Sequence, residues 1–260
     1  MKTCLVLTTA LCLLLFACNK STSTNNNPNP PATAHLLQKI ISTHSVNNEK
    51  DTVYYYYDTN NRLIKIVSRL SSTTGPYVDS TVFSRNSSGV ITGIQALHFP
   101  YNVTLAYNAT SNQYLYRLGS SDSVAYTYAN GKISSLIDYQ KSSGVYTPYN
   151  KRCFLYDSNG NLSRDSSYNW SSNWIYAFIK ASTFDNKVSP LPQNYEMLLK
   201  DFDETNDFGP NNTTSESHHS FISNSDLLKT ISYTYNSDNT PATATGSEGS
   251  DTWTSTYYYY

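Results

Sequence analysis

The sequence predicts an all-β protein: an antiparallel meander of Tyr-rich hairpins that forms a curled sheet or a barrel-like array. Composition is the first observation behind this fold class. Aromatic residues make up 14% of the chain and include 24 Tyr, while charged residues make up only 14%. Aromatic side chains favour strands, and Tyr covers broad, half-buried sheet faces better than it fills a deep aliphatic core.

A repeated pattern is the second observation. An alternating aromatic run leads into a turn rich in Asp, Asn and Gly, and an alternating apolar run follows. The turn residues recur every 22 to 28 positions, a period that fits one hairpin and its connecting loop. Asn130-Gly131 predicts a two-residue type I′ turn, and the run from Asp157 to Gly160 predicts a four-residue loop that closes on a left-handed glycine. The turn residues are Asp58, Asn86, Asn108, Asn130, Asp157 and Asp185.

Tyr falls on both faces of the predicted strands, which is the third observation. In the run from Val53 to Tyr57, Tyr55 and Tyr57 point to one face, whereas Tyr54 and Tyr56 point to the other. A sandwich would show a clear alternation of apolar inside and polar outside. The weak contrast in this sequence favours a single curled sheet or a wide barrel.

The array is interrupted once, over residues 189–227. Pro190 and Pro192 open this segment, and the apolar spacing from Asn194 to Phe202 predicts one short helix. On either side of the insertion the hairpin pattern is continuous. We therefore expect residues 35–260 to form a single β-repeat domain.

The first 34 residues predict export and lipidation. An apolar run from Leu5 to Ala17 would reach only about 20 Å as a helix, which is too short to span a bilayer. Residues 1–17 are therefore interpreted as a signal peptide that ends in a lipobox, with Cys18 as the lipidated residue. The polar residues up to 34 form a flexible tether. We expect a protein anchored by lipid to the outer membrane, with its periplasmic or surface orientation left open.

Two runs resemble the YD repeat, namely Tyr55-Tyr56-Tyr57-Asp58 and Phe154-Leu155-Tyr156-Asp157. Together with the lipobox and the late insertion, they resemble Bacteroidota lipoproteins of unknown function that are described as porin-like in fold. In that family an aromatic-Asp-x-Lys-x-x-Pro stretch precedes the insertion and a double Asn closes it. Phe184-Asp185-Asn186-Lys187-Val188-Ser189-Pro190 and Asn211-Asn212 correspond to these two features. The resemblance implies a β-rich fold and a lipoprotein, and it carries no established activity.

The sequence offers little for catalysis or for metal and cofactor binding. The adjacent pair His218-His219 would face opposite ways in a strand, and the acidic run at 201–207 lacks the Gly and the closing Glu of a calcium loop. Cys153 lies in a strand-like run, which favours a buried, inert thiol over a nucleophile. With a net charge of −1, the chain lacks the excess of basic residues that would indicate nucleic-acid binding. We therefore expect no catalytic residues, no metal, no cofactor and no enzymatic activity.

The most ligand-like stretch runs from Tyr168 to Tyr176. Tyr168, Trp170, Trp174 and Tyr176 flank a short polar turn, and exposed aromatic rings can stack on sugars or contact a protein partner. The alternative is a hairpin whose aromatic rings only pack against the sheet. We expect a non-catalytic binding or scaffold module for a glycan or protein partner. An integral outer-membrane barrel and a purely structural envelope component are the alternatives.

Overall fold

A computed structural model describes residues 36–46, 49–72, 75–96, 101–111, 113–119, 122–191 and 209–260. Within these ranges the chain forms sixteen strands and no helix. The strands are β1 (Leu37–His44), β2 (Lys50–Tyr57), β3 (Leu63–Ser72), β4 (Gly75–Arg85), β5 (Ile91–Ala96), β6 (Tyr101–Asn108), β7 (Gln113–Leu118), β8 (Asp122–Ala129), β9 (Lys132–Ser142), β10 (Val145–Tyr156), β11 (Leu162–Trp170), β12 (Trp174–Val188), β13 (Asn211–Ser220), β14 (Ser225–Tyr235), β15 (Pro241–Glu248) and β16 (Asp251–Tyr259).

The strands form a closed barrel. Each strand pairs antiparallel with its neighbours in the chain, and β1 pairs with β16 to close the ring. Full closure removes the unpaired edges that an open sheet would expose. The predicted all-β antiparallel meander is confirmed, and between the two predicted forms the structure is a closed barrel. No helix in the described part of the chain has the length and apolar character needed to cross a membrane.

The two faces of the barrel wall differ in burial, although Tyr lies on both of them as we expected. Tyr55 faces the lumen and is almost fully buried, whereas its neighbour Tyr56 is exposed on the outer face. Lumen-facing side chains from β1 to β11 pack into one apolar core. Its members are Leu37, Tyr55, Leu63, Ile66, Phe83, Ile91, Ile94, Val103, Leu105, Tyr114, Val124, Tyr126, Ile133, Leu136, Phe154 and Leu162.

Four hairpins turn in the same way at one end of the barrel, which we call the turn end. At Asp58, the backbone N–H donates to the Arg62 carbonyl, and the side-chain oxygen accepts from the N–H groups of Asn60 and Arg62. Asn86, Asp157 and Asn236 begin equivalent turns. The fourth residue of each turn adopts a positive φ, which Gly and Asn tolerate best. These residues are Asn61 (60°), Gly89 (84°), Gly160 (95°) and Asn239 (66°).

The sequence-based turn predictions are confirmed at two hairpins. Asn130 and Gly131 have φ values of 51° and 76°, as a type I′ turn requires. The N–H of Gly160 donates to the carbonyl of Asp157, which closes the predicted four-residue loop. Several hydrogen bonds hold the Asp157 carboxyl. Although burial acts to raise its pKa, bonds from Asn161 and Asn159 lower that pKa below the usual value of 3.8.

A β-bulge lies beside the turn in most hairpins, and a side chain from the next hairpin bonds the backbone there. In β9, for example, the register shifts at Ile133, and the hydroxyl of Tyr156 donates to the Ile133 carbonyl at 2.9 Å. A bulge locally disrupts the ladder and leaves backbone groups that need another partner. We call each such side-chain bond between neighbouring hairpins a staple.

Staples join every neighbouring pair of hairpins around the ring. Most use a Tyr hydroxyl, one uses an Arg, and one uses an Asn pair. They are Arg85 to the Leu63 carbonyl, the Ile91 N–H to Tyr114, the Tyr114 N–H to Tyr128, Tyr156 to the Ile133 carbonyl, Asn161 to Asn211, Tyr233 to the Thr213 carbonyl, Tyr259 to the Pro241 carbonyl, and Tyr260 to the Tyr55 carbonyl. Their distances lie between 2.8 and 3.1 Å.

The insertion begins and ends at one base on the turn end. The N–H of Ser189 donates to the Pro210 carbonyl at 2.9 Å, so the two ends of the segment meet. Asn212 is buried and bonds the Asp185 carboxylate, which also accepts from the hydroxyl of Tyr235. Asn211 bonds the Lys187 carbonyl. The Asp and the double Asn that the family resemblance singled out therefore form this base.

The interruption of the array is shorter in the structure than the range 189–227 that the sequence predicted. Residues 211–220 form β13 and residues 225–227 belong to β14, so the array resumes directly after Pro210. The short helix predicted at 194–202 lies outside the described residues. So do the signal peptide, Cys18 and the tether up to residue 34.

Removing one staple tests its contribution to stability. We expect Tyr156→Phe to lower the free energy of unfolding by about 1–2 kcal/mol, because the half-buried Ile133 carbonyl loses its partner. Tyr56→Phe is the matched control, since Tyr56 lies on the outer face, and it should change stability by less than about 0.5 kcal/mol. Urea unfolding followed by Trp fluorescence measures both values. Equal effects of the two variants would contradict a stabilising role for the staple.

Candidate binding surface

The four aromatic residues singled out in the sequence lie together on one hairpin. Trp170 ends β11 and Trp174 begins β12, and the two are paired across the hairpin; Tyr168 and Tyr176 form the next pair. The turn between the strands includes Ser172 with a φ of 60°. This hairpin is at the end of the barrel opposite the turn end. All four side chains project from the outer face.

The rings contact each other in pairs. The centroids of Trp170 and Trp174 are 4.9 Å apart in an edge-to-face arrangement, and those of Tyr168 and Tyr176 are 4.3 Å apart. Such geometries stabilise aromatic pairs beyond simple burial. Pairing therefore fixes the rings as one surface while leaving Trp170 and Tyr176 41% and 45% exposed.

A fifth ring from another hairpin extends this surface. Phe221 begins the turn between β13 and β14, and its N–H donates to the Ala177 carbonyl at 2.9 Å. Its ring lies 5.4 Å from that of Tyr176 and is 46% exposed. Sequence reasoning missed Phe221 because it lies more than forty residues from Tyr176 and carries no local motif. We call the five residues Tyr168, Trp170, Trp174, Tyr176 and Phe221 the aromatic platform.

The platform is electrically neutral, and polar groups border it. Burial, followed by hydrogen bonding with Tyr176, raises the pKa of Tyr168 to about 12, so this hydroxyl stays protonated at any physiological pH. His219 lies below Phe221 and forms an ion pair with Asp226 at 2.8 Å. Lys151 is the register partner of Tyr168 on β10. The platform can therefore offer ring faces and hydrogen-bond donors together.

Cys153 lies on the outer wall near the platform, where it pairs with Ser166. It is a free thiol of intermediate exposure, and burial raises the pKa of its thiol above the usual value. A raised pKa lowers the fraction of reactive thiolate. The geometry is in line with the inert thiol that we expected.

Charged side chains cross the lumen side of five neighbouring strands, and we call them the charge ladder. Arg152 forms a buried ion pair with Asp165, which is in register with Lys180. The Nζ atom of Lys180 lies 3.6 Å from the Oε1 atom of Glu216, which is in register with Lys229. Charges of opposite sign therefore alternate from β10 to β14. Burial lowers the pKa of Lys180, and its acidic neighbours oppose that effect.

His218 lies beside the charge ladder, whereas the adjacent His219 lies on the outer wall. His218 is the register partner of Lys180, and its ring meets that of Phe178 edge-on at 5.0 Å. Burial, and then the nearby Lys180 charge, lower the pKa of His218 below the usual value of 6.5. The two residues thus face opposite sides of the wall, as the sequence predicted.

His44 contacts Asp side chains of both neighbouring strands where the first and last strands of the barrel meet. Its Nδ1 atom lies 2.9 Å from an Asp251 oxygen, and its Nε2 atom lies 3.5 Å from an Asp51 oxygen. The ring also stacks on Trp253, which packs closely over Gly246. In the described ranges, no group of three or more His, Cys, Asp or Glu side chains is arranged to hold a metal ion.

Comparisons with known proteins identify the fold alone. No protein-family model and no curated protein matches the sequence. The barrel is similar to a porin-like protein from Bacteroides uniformis, with 12% identity and a TM-score of 0.57 over 86% of this chain and 98% of the other. This match agrees with the porin-like fold that the sequence resemblance implied.

Two further solved structures match with TM-scores below 0.5, which is too low to support a shared fold by themselves. A porin-like protein from Bacteroides vulgatus matches with 10% identity and a TM-score of 0.49, over 87% of this chain and 99% of the other. A protein with unknown function from Bacteroides fragilis matches with 13% identity and a TM-score of 0.25, over 50% and 90% of the two chains.

Breaking the charge ladder tests how strongly it supports the wall. We expect Asp165→Asn to lower the free energy of unfolding by about 3–5 kcal/mol, because it leaves the Arg152 charge buried without its counter-ion. Asp226→Asn is the matched control: this side chain is 85% exposed, so its ion pair should contribute less than about 1 kcal/mol. Urea titration compares the two. A small effect of Asp165→Asn would show that the buried pair is dispensable.

His218 predicts a pH dependence of stability. Its pKa in the folded protein is below the unfolded value of 6.5, so the unfolded chain binds more protons between the two values. Stability should therefore be complete above pH 6.5 and fall on acidification towards the folded pKa. We expect His218→Gln to flatten the unfolding free energy across this window. Unfolding curves taken from pH 5 to 7.5 measure this slope, and an unchanged slope in His218→Gln would contradict the assignment to His218.

Proposed function

We propose that this protein is a lipid-anchored envelope protein whose barrel stands in water beside the membrane and acts as a non-catalytic binding module. One observation carries the proposal: hydroxyl side chains cover most of the outer face of β13 to β16, while an apolar core lines the lumen side of β1 to β11. Barrels that span a membrane have the reverse arrangement, with an apolar band facing lipid and a polar interior. The porin-like fold would therefore serve a purpose other than forming a channel.

The outer face of β13 to β16 consists mainly of hydroxyl side chains. Cross-strand hydrogen bonds link several of them, for example Thr230 to Ser247 at 2.9 Å and Thr234 to Thr243 at 2.6 Å. On β16, Trp253 faces the lumen, while Thr252 and Thr254 face outward. The outward hydroxyl residues are Ser215, Ser217, Thr230, Ser232, Thr234, Thr243, Thr245, Ser247, Thr252, Thr254 and Thr256.

Charged residues also interrupt the outer face elsewhere. Lys65 is in register with Val82, and Arg164 is in register with Leu155, so outward apolar side chains stand beside cations. A Lys or Arg on the lipid face costs about 2–4 kcal/mol at the bilayer midplane. Several such residues, added to the hydroxyl rows, make insertion of this wall into lipid unfavourable.

Packing of the lumen argues against a channel as well. Leu63, Ile133 and Leu136 face the lumen and have no exposed surface. They belong to the apolar core that lines β1 to β11, and the charge ladder crosses the remaining wall. A pore of the porin type needs a water-filled, polar interior. A packed lumen instead suits a rigid scaffold that holds an outer surface in shape.

The start of β1, which the tether would join to the anchor, and the platform lie at opposite ends of the barrel. The N–H of Tyr260 donates to the carbonyl of Leu36, which places the start of β1 at the turn end. A flexible tether over residues 19–34 would reach roughly 20–25 Å, which lets the barrel stand clear of the bilayer. The aromatic platform then faces away from the anchor, where a ligand has access to it.

Binding is favoured over catalysis by the chemistry of the exposed groups. The platform offers ring faces, neutral hydroxyls and one bordering ammonium, which can hold a ligand but cannot activate a nucleophile. The charged groups of the charge ladder are paired with each other on the lumen side of the wall, away from the platform. We therefore assign the platform a role in recognition.

The variant Cys18→Ala in the full-length chain tests the lipid anchor and the placement of the barrel in water. We expect the wild-type protein to incorporate a palmitate analogue and to fractionate with the outer membrane. The variant should lose the label and move to the soluble fraction, because the hydroxyl-rich outer face of β13 to β16 makes insertion into lipid unfavourable. Fractionation and in-gel detection of the label measure both effects, and Cys153→Ala is the matched control that should leave them unchanged.

The rival function makes the opposite prediction. An integral barrel would keep Cys18→Ala in the membrane fraction, resistant to alkaline extraction, and would raise the conductance of a planar bilayer. Either result would overturn the proposed placement in water.

A further inference from the structure

We propose that the aromatic platform binds a carbohydrate chain, laid across the strands from β10 to β13. This inference deepens the proposed function, since it names the class of ligand for the same surface. It follows from the spacing of the rings, from the area that they expose and from the polar groups at their border.

The first argument is spacing. Lys151, Tyr168, Tyr176 and Phe221 form one row across four neighbouring strands on the outer face. Neighbouring strands are about 4.8 Å apart, so the row extends roughly 14 Å. Each step is close to the length of one pyranose unit. A short oligosaccharide can therefore place successive rings over Tyr168, Tyr176 and Phe221.

The second argument is area. An aromatic side chain presents about 150–250 Å² when fully exposed, so rings that are 41–46% exposed offer roughly 60–115 Å² each. The whole platform then offers on the order of 400 Å². A stable protein interface needs about 800 Å² on each partner. The five rings by themselves thus offer less area than a protein interface of standard size needs, while a few sugar units would cover them.

The third argument is the nature of the polar groups. A pyranose ring has C–H groups on its faces and hydroxyls around its edge, so it needs ring faces for stacking and donors beside them. Trp170 and Tyr176 supply exposed ring faces. The Tyr168 hydroxyl and the Lys151 ammonium lie at the border of the same surface. The Nδ1 atom of His219 lies 2.8 Å from an Asp226 oxygen at the same border.

The platform rings are also held in place before any ligand arrives. Trp170 packs on Trp174, and Tyr176 contacts both Tyr168 and Phe221. Rings that are already fixed lose little conformational freedom when a ligand binds. The closed barrel beneath them keeps the row at its spacing.

Intrinsic fluorescence gives a direct test, because two of the three Trp residues of the chain belong to the platform and the third, Trp253, faces the lumen. Full-length protein in mild detergent is titrated with soluble polysaccharides: starch, dextran, xylan, mannan, a mixed-linkage β-glucan and a polyuronate. We expect at least one of them to quench or shift the Trp emission in a saturable way. Trp170→Ala and Tyr176→Ala should each weaken this binding at least tenfold.

The double variant Tyr56→Ala with Tyr258→Ala is the matched control. These two rings are also on the outer face, at 40% and 39% exposure, but they belong to β2 and β16. The control should bind as the wild type does. Calorimetry on the same samples checks that any loss comes from binding and not from a lost Trp signal.

Three outcomes would overturn the inference: no polysaccharide binds, the platform variants bind as the wild type does, or the control loses as much affinity as they do. If no polysaccharide binds and a protein cross-links to the platform, the surface is assigned to a protein partner instead. These results are independent of the proposed placement in water, which the Cys18→Ala fractionation decides separately. The detergent sample contains a folded barrel in either case.

Discussion

The barrel depends on hydrogen bonds that run from a side chain of one hairpin to the backbone of its neighbour. Four turns at the turn end follow a four-residue pattern, and in most hairpins the bulge beside the turn leaves a backbone group outside the ladder. Staples such as Tyr156 to Ile133 satisfy these groups. Because a buried, unpaired carbonyl costs about 1–3 kcal/mol, each hairpin requires its neighbour. The last staple, from the Tyr260 hydroxyl to the Tyr55 carbonyl, links the end of the chain back to β2.

This constraint explains the unusual abundance of Tyr. A staple needs a side chain with a long apolar body, which packs in the lumen, and a polar tip, which reaches a backbone group. Tyr meets both needs, and Arg85 does the same in one hairpin. With the aromatic residues of alternate positions turned inward, the outer positions are left to Ser and Thr on the last strands. The inward position of these Tyr residues is therefore a consequence of the way in which the hairpins are joined.

The candidate site shows how far local sequence can lead. Tyr168, Trp170, Trp174 and Tyr176 could be predicted as a group because they flank one turn and pair across one hairpin. Phe221 could not, since its contact with Tyr176 depends on the pairing of β12 with β13 on either side of the insertion. The charge ladder was also missed. Its members lie on five strands, and none of them looks unusual within its own strand.

By itself, the sequence determined most of the hairpins and turns and the two-faced alternation of the strands, although Asp185, predicted as a turn residue, lies within β12. These features depend on residues within a few positions of each other, as with the φ values of Asn130 and Gly131. Only the tertiary structure decided that the array closes and which face becomes the lumen. Closure depends on the register between β1 and β16, more than two hundred residues apart, and on staples between hairpins. Local alternation assigns two faces to a strand, but only closure of the wall makes one of them the inside.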